Sequence, residues 1–194
     1  MYFKKITGTL CYLSPIDCGD AEQFTQWLND LAITENLSMY HTMLTVEVER
    51  MLLAELSKQH NYSIIETRTN SLIGNCGFAA IDHLNQTAEA GIFIGDKNYR
   101  GKGYGTEALR LLLGYGFLAL NLHSVYLRVY SFNQRALRSY EKIGFKMTGK
   151  WREALRRGPK TYDILLMDIL DSEFYAENPD FSLGMEKPDF TLGT

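Results

Sequence analysis

Apolar positions at Ala108, Leu111, Leu112, Tyr115, Leu118 and Ala119 recur at helical spacing, with Thr106, Glu107 and Arg110 on the opposite side. Just upstream, Gly91-Ile92-Phe93-Ile94-Gly95 is an apolar run of strand length. Downstream, Val125, Leu127 and Val129 alternate with Tyr126, Arg128 and Tyr130, the period of a half-buried strand. The pattern predicts strand, loop, helix, strand. Asn121, which tolerates left-handed backbone, ends the helix. Asn133 then caps a further helix that Gly144 closes in a Schellman-like turn.

The rest of the chain divides by the same signals. Residues 6–13 read as a first strand closed by Ser14-Pro15, and Asp20 caps a helix running through Leu31 on Ala21, Phe24, Leu28 and Leu31. A second helix spans residues 46–58 on Val46, Met51, Leu53 and Leu56. Residues 62–67 and 72–82 form a hairpin around Thr69-Asn70-Ser71, and Asn85-Gln86 turns into a fourth strand ending near Gly95. Residues 145–152 and 161–170 close the sheet through Arg156-Arg157-Gly158-Pro159. The expected class is mixed α/β with an antiparallel majority.

A length of 194 residues with 45% hydrophobic content suits one globular domain. No apolar run approaches the roughly 18 residues that span a bilayer, and the start lacks a signal-peptide core, so the expectation is a cytoplasmic protein with no membrane partner. Cys11, Cys18 and Cys76 are an odd number without metal-ligand spacing. They read as small side chains in a reducing compartment, with no metal expected.

Net charge is only −3, yet residues 97–160 hold 14 of the 20 Lys and Arg against Glu107, Glu141 and Glu153. A solvated basic surface is the ordinary explanation, and a polyanionic ligand explains the position better. Within this segment Arg100-Gly101-Lys102-Gly103-Tyr104-Gly105-Thr106 opens the central helix. Alternate glycines let successive N–H groups approach a ligand, which makes an anion site at a helix N-terminus. The spacing fits neither the P-loop nor the dinucleotide fingerprint.

Arg100, Gly103 and Gly105 instead resemble the Arg/Gln-x-x-Gly-x-Gly/Ala motif of the GNAT superfamily of N-acetyltransferases. The resemblance covers nearly the whole chain. Leu13-Ser14-Pro15, Asp20 and Trp27-Leu28-Asn29-Asp30 are similar to the opening of the branch containing ribosomal-protein N-terminal acetyltransferases; Asn133, Ala136, Tyr140 and Gly144-Phe145 resemble the family's next helix. It implies a GNAT fold: an α/β protein with a single mixed, mostly antiparallel sheet, splayed between its fourth and fifth strands and flanked by helices. It also implies acetyl-CoA as cosubstrate, with Arg100, Lys102, Arg135 and Arg138 near its phosphates.

Acetyl transfer to an amine needs a polarised thioester carbonyl, a base and a proton for the departing thiolate. The family holds the pantetheine arm on the fourth strand, here Gly91 to Ile94, so Ile92, Phe93 and Ile94 are cofactor-binding candidates through their backbone. The phosphate-binding candidates are Arg100, Gly101, Lys102, Gly103, Tyr104, Gly105 and Thr106, joined by Asn133 and Arg135. Tyr140 is the candidate acid, seven residues after Asn133 and therefore on the same helix face. Glu89 is the candidate base, with a rim salt bridge as its rival explanation. His83 and His123 read as ordinary surface histidines.

These residues predict direct acetyl transfer to a primary amine. By resemblance the leading acceptor is a protein N-terminus, followed by a polyamine or amino sugar; a non-catalytic CoA-binding sensor and an RNA-binding module are the rivals from other classes, nucleic acid being the less favoured ligand. Residues 1–170 are taken as the acetyltransferase domain and 171–194 as a tail. The tail nearly repeats Pro179-Asp180-Phe181-Ser182-Leu183-Gly184 as Pro188-Asp189-Phe190-Thr191-Leu192-Gly193. Its aromatic anchors predict docking on its own domain or on a second copy in a homodimer.

Overall fold

A computed structural model describes residues 1–182. The strands are β1 Ile6–Thr7, β2 Cys11–Pro15, β3 Asn61–Glu66, β4 Leu72–Asp82, β5 Thr87–Ile94, β6 Ser124–Tyr130, β7 Lys146–Arg157 and β8 Lys160–Leu170. The helices are α1 Ala21–Leu28, α2 Leu31–Thr34, α3 Val46–Leu56, α4 Tyr104–Ala119, α5 Gln134–Ile143 and α6 Asp171–Glu177. The strands hydrogen-bond in the order β1-β2-β3-β4-β5-β6-β8-β7. Pairing is antiparallel from β1 to β4 and from β6 through β8 to β7, and parallel between β5 and β6. That parallel ladder covers only Thr87–Glu89 against Ser124–Tyr126. The expected mixed, mostly antiparallel sheet is therefore the one formed.

By its contacts the chain divides into two compact units, Met1–Phe78 with Gly91–Leu111, and Ala79–Ala90 with Leu112–Thr194. In the first, Ile16, Ala21, Phe24, Trp27, Ile33 and Leu53 form a buried cluster against which Val46, Leu56 and Phe93 pack. Phe24, Trp27 and Phe93 meet edge to face at 5.5 to 6.2 Å. Gly95 is required beneath them, since a Cβ there would lie 2.1 Å from the Trp27 ring. In the second unit, Val125, Leu127 and Val129 of β6 and Met167 and Ile169 of β8 are buried, as their alternation demands.

Four local expectations change. The single strand over residues 6–13 is a hairpin of β1 and β2, because the Glu107 carboxylate accepts the N–H groups of Thr9, Leu10 and Cys11 at 3.0, 2.7 and 2.8 Å and holds a turn there. The helix from Asp20 ends at Leu28, and Asp30 starts α2 by accepting the Ala32 N–H at 2.8 Å. Asp20 makes no side-chain cap; its carboxylate accepts the Tyr2 hydroxyl at 2.8 Å. Ala119, expected on the buried stripe of α4, is exposed at the end of the helix.

Other signals hold. Asn70, Gln86 and Asn121 all have positive φ, as turn residues should, and Gly144 closes α5 at φ 110°. Residues 171–177, expected to belong to a tail, form α6 within the second unit: Phe174 is fully buried, its ring 5.4 Å from Phe117. The tail anchor Phe181 lies 5.3 Å from Phe174, within its own chain. The second repeat, with Phe190 and Leu192, lies outside the described residues.

Candidate active site

The glycine loop belongs to the first unit. Gly101 and Gly103 adopt φ of 72° and 92°, values that side-chain-bearing residues resist, and Gly101, Lys102 and Gly103 are exposed. A Cβ at Gly101 would meet nothing within 4 Å, so open space rather than packing surrounds that backbone. The N–H groups of Tyr104 and Gly105, in the first turn of α4, have no intrahelical acceptor. Together these form an exposed cradle of the kind that takes a phosphate.

The remaining loop candidates divide between open and packed positions. Arg100 turns back, its Nε donating to the Ile94 carbonyl at 2.9 Å, which ties the loop to the end of β5. The Tyr104 side chain is buried and its hydroxyl donates to Glu66 at 3.4 Å, leaving only its backbone at the loop. Gly105 sits over β5: its Cβ position is 3.6 Å from Ile94 and 4.0 Å from Ile92. Ile92 and Ile94 thus face the start of α4, while Phe93 joins the aromatic cluster. Lys102 is exposed on the loop, and Thr106 stands half-buried in the first turn of α4.

The second unit carries the other candidates. Asn133 caps α5, its side-chain oxygen accepting the Ala136 N–H at 3.2 Å. Two turns on, Tyr140 is half-buried with its ring 5.9 Å from Phe145, and its hydroxyl makes no hydrogen bond among the described residues. Burial pushes this phenol up to about 12, so it is fully protonated at neutral pH. Arg135 and Arg138 are exposed on α5. Glu89 of β5 accepts Arg128 twice, Nε to Oε1 at 2.6 Å and Nη2 to Oε2 at 3.0 Å.

Three contributors escaped the pattern reading. Arg128 appeared only as the polar phase of β6, yet it grips Glu89 and lies 5.9 Å from the Trp151 ring. Glu107 anchors Thr9, Leu10 and Cys11 from distant sequence, and Glu66 anchors the neighbouring Arg68 and Thr69 together with the more distant Tyr104 hydroxyl. A cleft of about 890 Å³ lined by Lys150, Trp151, Arg152, Glu153 and Asp163 contains none of the candidates. No cluster of three or more potential metal ligands occurs among the described residues. No helix among them is long and apolar enough to cross a membrane.

Residues 11–146 match the family model of the acetyltransferase (GNAT) domain. The chain belongs to the GNAT family. Its chemistry is acetyl transfer, and it is an N-acyltransferase. It is 27% identical over 179 residues to the uncharacterized N-acetyltransferase p20 of Bacillus licheniformis, covering 90% of this chain and 97% of that one. Spermidine N(1)-acetyltransferase of Escherichia coli K12 is 32% identical over 56% of this chain and 58% of its own length. The putative ribosomal N-acetyltransferase YdaF of Bacillus subtilis is 33% identical over 55% and 58%. Spermidine N-acetyltransferase from Vibrio cholerae, solved with CoA and spermine, has a TM-score of 0.76 at 24% identity, covering 86% of this chain and 99% of its own.

Proposed function

We propose that the protein transfers acetyl from acetyl-CoA directly to a primary amine. The observation that carries this reading is the exposed loop at the start of α4, whose Gly101 and Gly103 hold left-handed backbone with open space at Gly101. Its amides and Lys102 would hold the pyrophosphate. When bound, acetyl-CoA supplies the activated acyl group as a thioester.

The chain's own residues fill the remaining roles. The backbone N–H of Phe93 or Ile94 polarises the acyl carbonyl. Glu89 takes a proton from the incoming ammonium, directly or through water, and Tyr140 gives its hydroxyl proton to the departing thiolate. Asn133, two turns before Tyr140 on the same face of α5, orients the donor.

Two acceptor classes are weighed: a protein N-terminus, from the resemblance to the ribosomal-protein branch, and a polyamine, supported by the spermidine N-acetyltransferase among the relatives. A thiol-release assay with acetyl-CoA against N-terminal peptides, spermidine and an amino sugar decides between them. Turnover on one class names the acceptor. Tight acetyl-CoA binding by calorimetry with no turnover on any amine would make the protein a sensor instead, and RNA binding without acetyl-CoA binding would make it an RNA module.

A further inference from the structure

The turn between β1 and β2 and the start of α4, both in the first unit, are joined by one carboxylate. Glu107, in the first turn of α4, accepts the Thr9 N–H on Oε1 at 3.0 Å and the Leu10 and Cys11 N–H groups on Oε2 at 2.7 and 2.8 Å. Gly8 makes room for it, since a Cβ there would lie 2.7 Å from the carboxyl carbon. The β1–β2 turn also meets the glycine loop. A Cβ at Gly103 would lie 3.4 Å from Leu10 Cδ1, and the Cys11 thiol donates to the Tyr104 carbonyl at 3.8 Å.

A carboxylate in the first turn of a helix complements the helix dipole. It also repels any phosphate that approaches the same helix end. In this chain three backbone donors hold the carboxylate on the hairpin, and that contact ties down the helix start whose amides form the cradle. A cradle of backbone amides binds by pre-organisation, so whatever fixes its backbone sets its affinity. We propose that Glu107 is a positioning residue for the donor, clamping the β1–β2 turn against the loop so that the amides of Tyr104 and Gly105 are held ready for the pyrophosphate of CoA. The inference rests on the reading of this loop as the phosphate site, and it adds the β1–β2 turn to the structure that sets donor affinity.

The sign of the effect separates this role from two others. A bystander charge would repel CoA, so removing it would tighten binding, most of all at low salt. A residue that serves packing alone would lower Tm and leave the affinity of the folded protein where it was. A clamp loosens binding when it is lost.

The test is calorimetric titration of the full chain with CoA itself, which needs no acceptor. Glu107→Ala should weaken CoA binding about tenfold. Gly8 lies outside the left-handed region, so alanine fits its backbone, and the new methyl displaces the carboxylate while keeping its charge. Gly8→Ala should therefore weaken binding by a similar factor. The double variant should match the weaker single one to within about twofold, because both changes break the same clamp. Coupling is reciprocal, so CoA should slow hydrogen exchange at the Leu10 and Cys11 amides about tenfold in the wild type and leave it unaltered in Glu107→Ala. If Glu107→Ala does not fold, Gly8→Ala and the wild-type exchange rates decide. Equal or tighter CoA binding in the variants overturns the proposal, as does a double variant about a hundredfold weaker than wild type, or turn amides indifferent to CoA in the wild type. A wild type that binds no CoA overturns the donor reading itself, and the proposal with it.

Discussion

Arg128 grips Glu89 through two hydrogen bonds, at 2.6 and 3.0 Å, while its guanidinium lies 5.9 Å from the centre of the Trp151 ring. Glu89 is the better buried partner, with its side chain 18% exposed against 47% for Arg128. A bidentate arginine fixes where a carboxylate points as well as that it is charged. That geometry suits a base held in one orientation, and it equally suits a structural rim pair, so kinetics must separate them.

If Glu89 is the base, Glu89→Gln keeps its shape but cannot accept a proton, so kcat is expected to fall by about 10²–10⁴-fold. A retained kcat would assign Glu89 to structure. Arg128→Ala should lower Tm by more than loss of an exposed pair would, because it leaves the mostly buried Glu89 carboxylate without its bidentate donor, at a cost of about 1–3 kcal/mol.

For Tyr140 the expectation is a kcat loss of about 10²–10⁴-fold in Tyr140→Phe, with Tm nearly unchanged because the ring and its packing on Phe145 are kept. An acid must be protonated, so its contribution falls as pH rises through its own titration. With the phenol pushed up to about 12, no Tyr140 limb should appear in the wild-type profile below pH about 10. A retained kcat with a lowered Tm would make Tyr140 a packing residue.

Lys102 offers a cleaner test of the loop than its glycines do. Replacing Gly103 would force a side chain into φ 92°, which strains the backbone before any ligand is considered. Lys102→Glu leaves the backbone free and reverses one exposed charge. Acetyl-CoA affinity by calorimetry should fall about tenfold at low salt, and by less at high salt as the charges are screened. Equal affinity at every salt concentration would remove this loop from phosphate binding.

Glu66 links the fold to pH. Its carboxylate accepts the Thr69 N–H and hydroxyl, both at 2.6 Å, and the Arg68 N–H at 3.1 Å. The Thr69 hydroxyl foremost, with those backbone donors, holds it down to about 2, below its ordinary 4.5. A depressed folded-state value contributes stability that is present above the unfolded value and lost as pH falls toward the folded one. Urea melts should therefore weaken between pH 4.5 and about 2, and Glu66→Gln should flatten that slope while lowering Tm at neutral pH. An unchanged acid slope would rule Glu66 out as its source.

Much of this was legible locally. The caps and stops at Asn133, Asn121 and Gly144, and the alternation of β6, are decided by residues a few positions apart, and each fell where expected. The largest misreading arose where a distant residue decides, whereas the early end of α1 at Leu28 is a local matter of the Asp30 cap. The hairpin at residues 8–10 exists because Glu107 comes to it from nearly a hundred residues away, and no period in residues 6–13 records that. The candidate site shows the same division. The glycine conformations followed from the loop's own sequence, whereas the turn of Arg100 toward β5 and the grip of Arg128 on Glu89 depend on which strands become neighbours.

Finally, Phe181 and Gly114 should behave as one unit. Gly114 is an interior residue of α4, and a Cβ there would lie 2.0 Å from the Phe181 ring. Taken alone, Gly→Ala in a helix interior stabilises by about 1 kcal/mol. Here the methyl must displace the ring, so Gly114→Ala should fail to raise Tm and should expose the chain after α6 to limited proteolysis. Phe181→Ala removes a partly buried ring and should cost about 1–2 kcal/mol. Once the ring is gone, the added methyl meets no obstacle from it, so combining Gly114→Ala with Phe181→Ala should raise Tm above that of Phe181→Ala alone. The two changes are then non-additive, with a coupling of about 1 kcal/mol or more in thermal melts. Strict additivity, or equal protease resistance in all four proteins, would show that Phe181 does not occupy the Gly114 seat in solution.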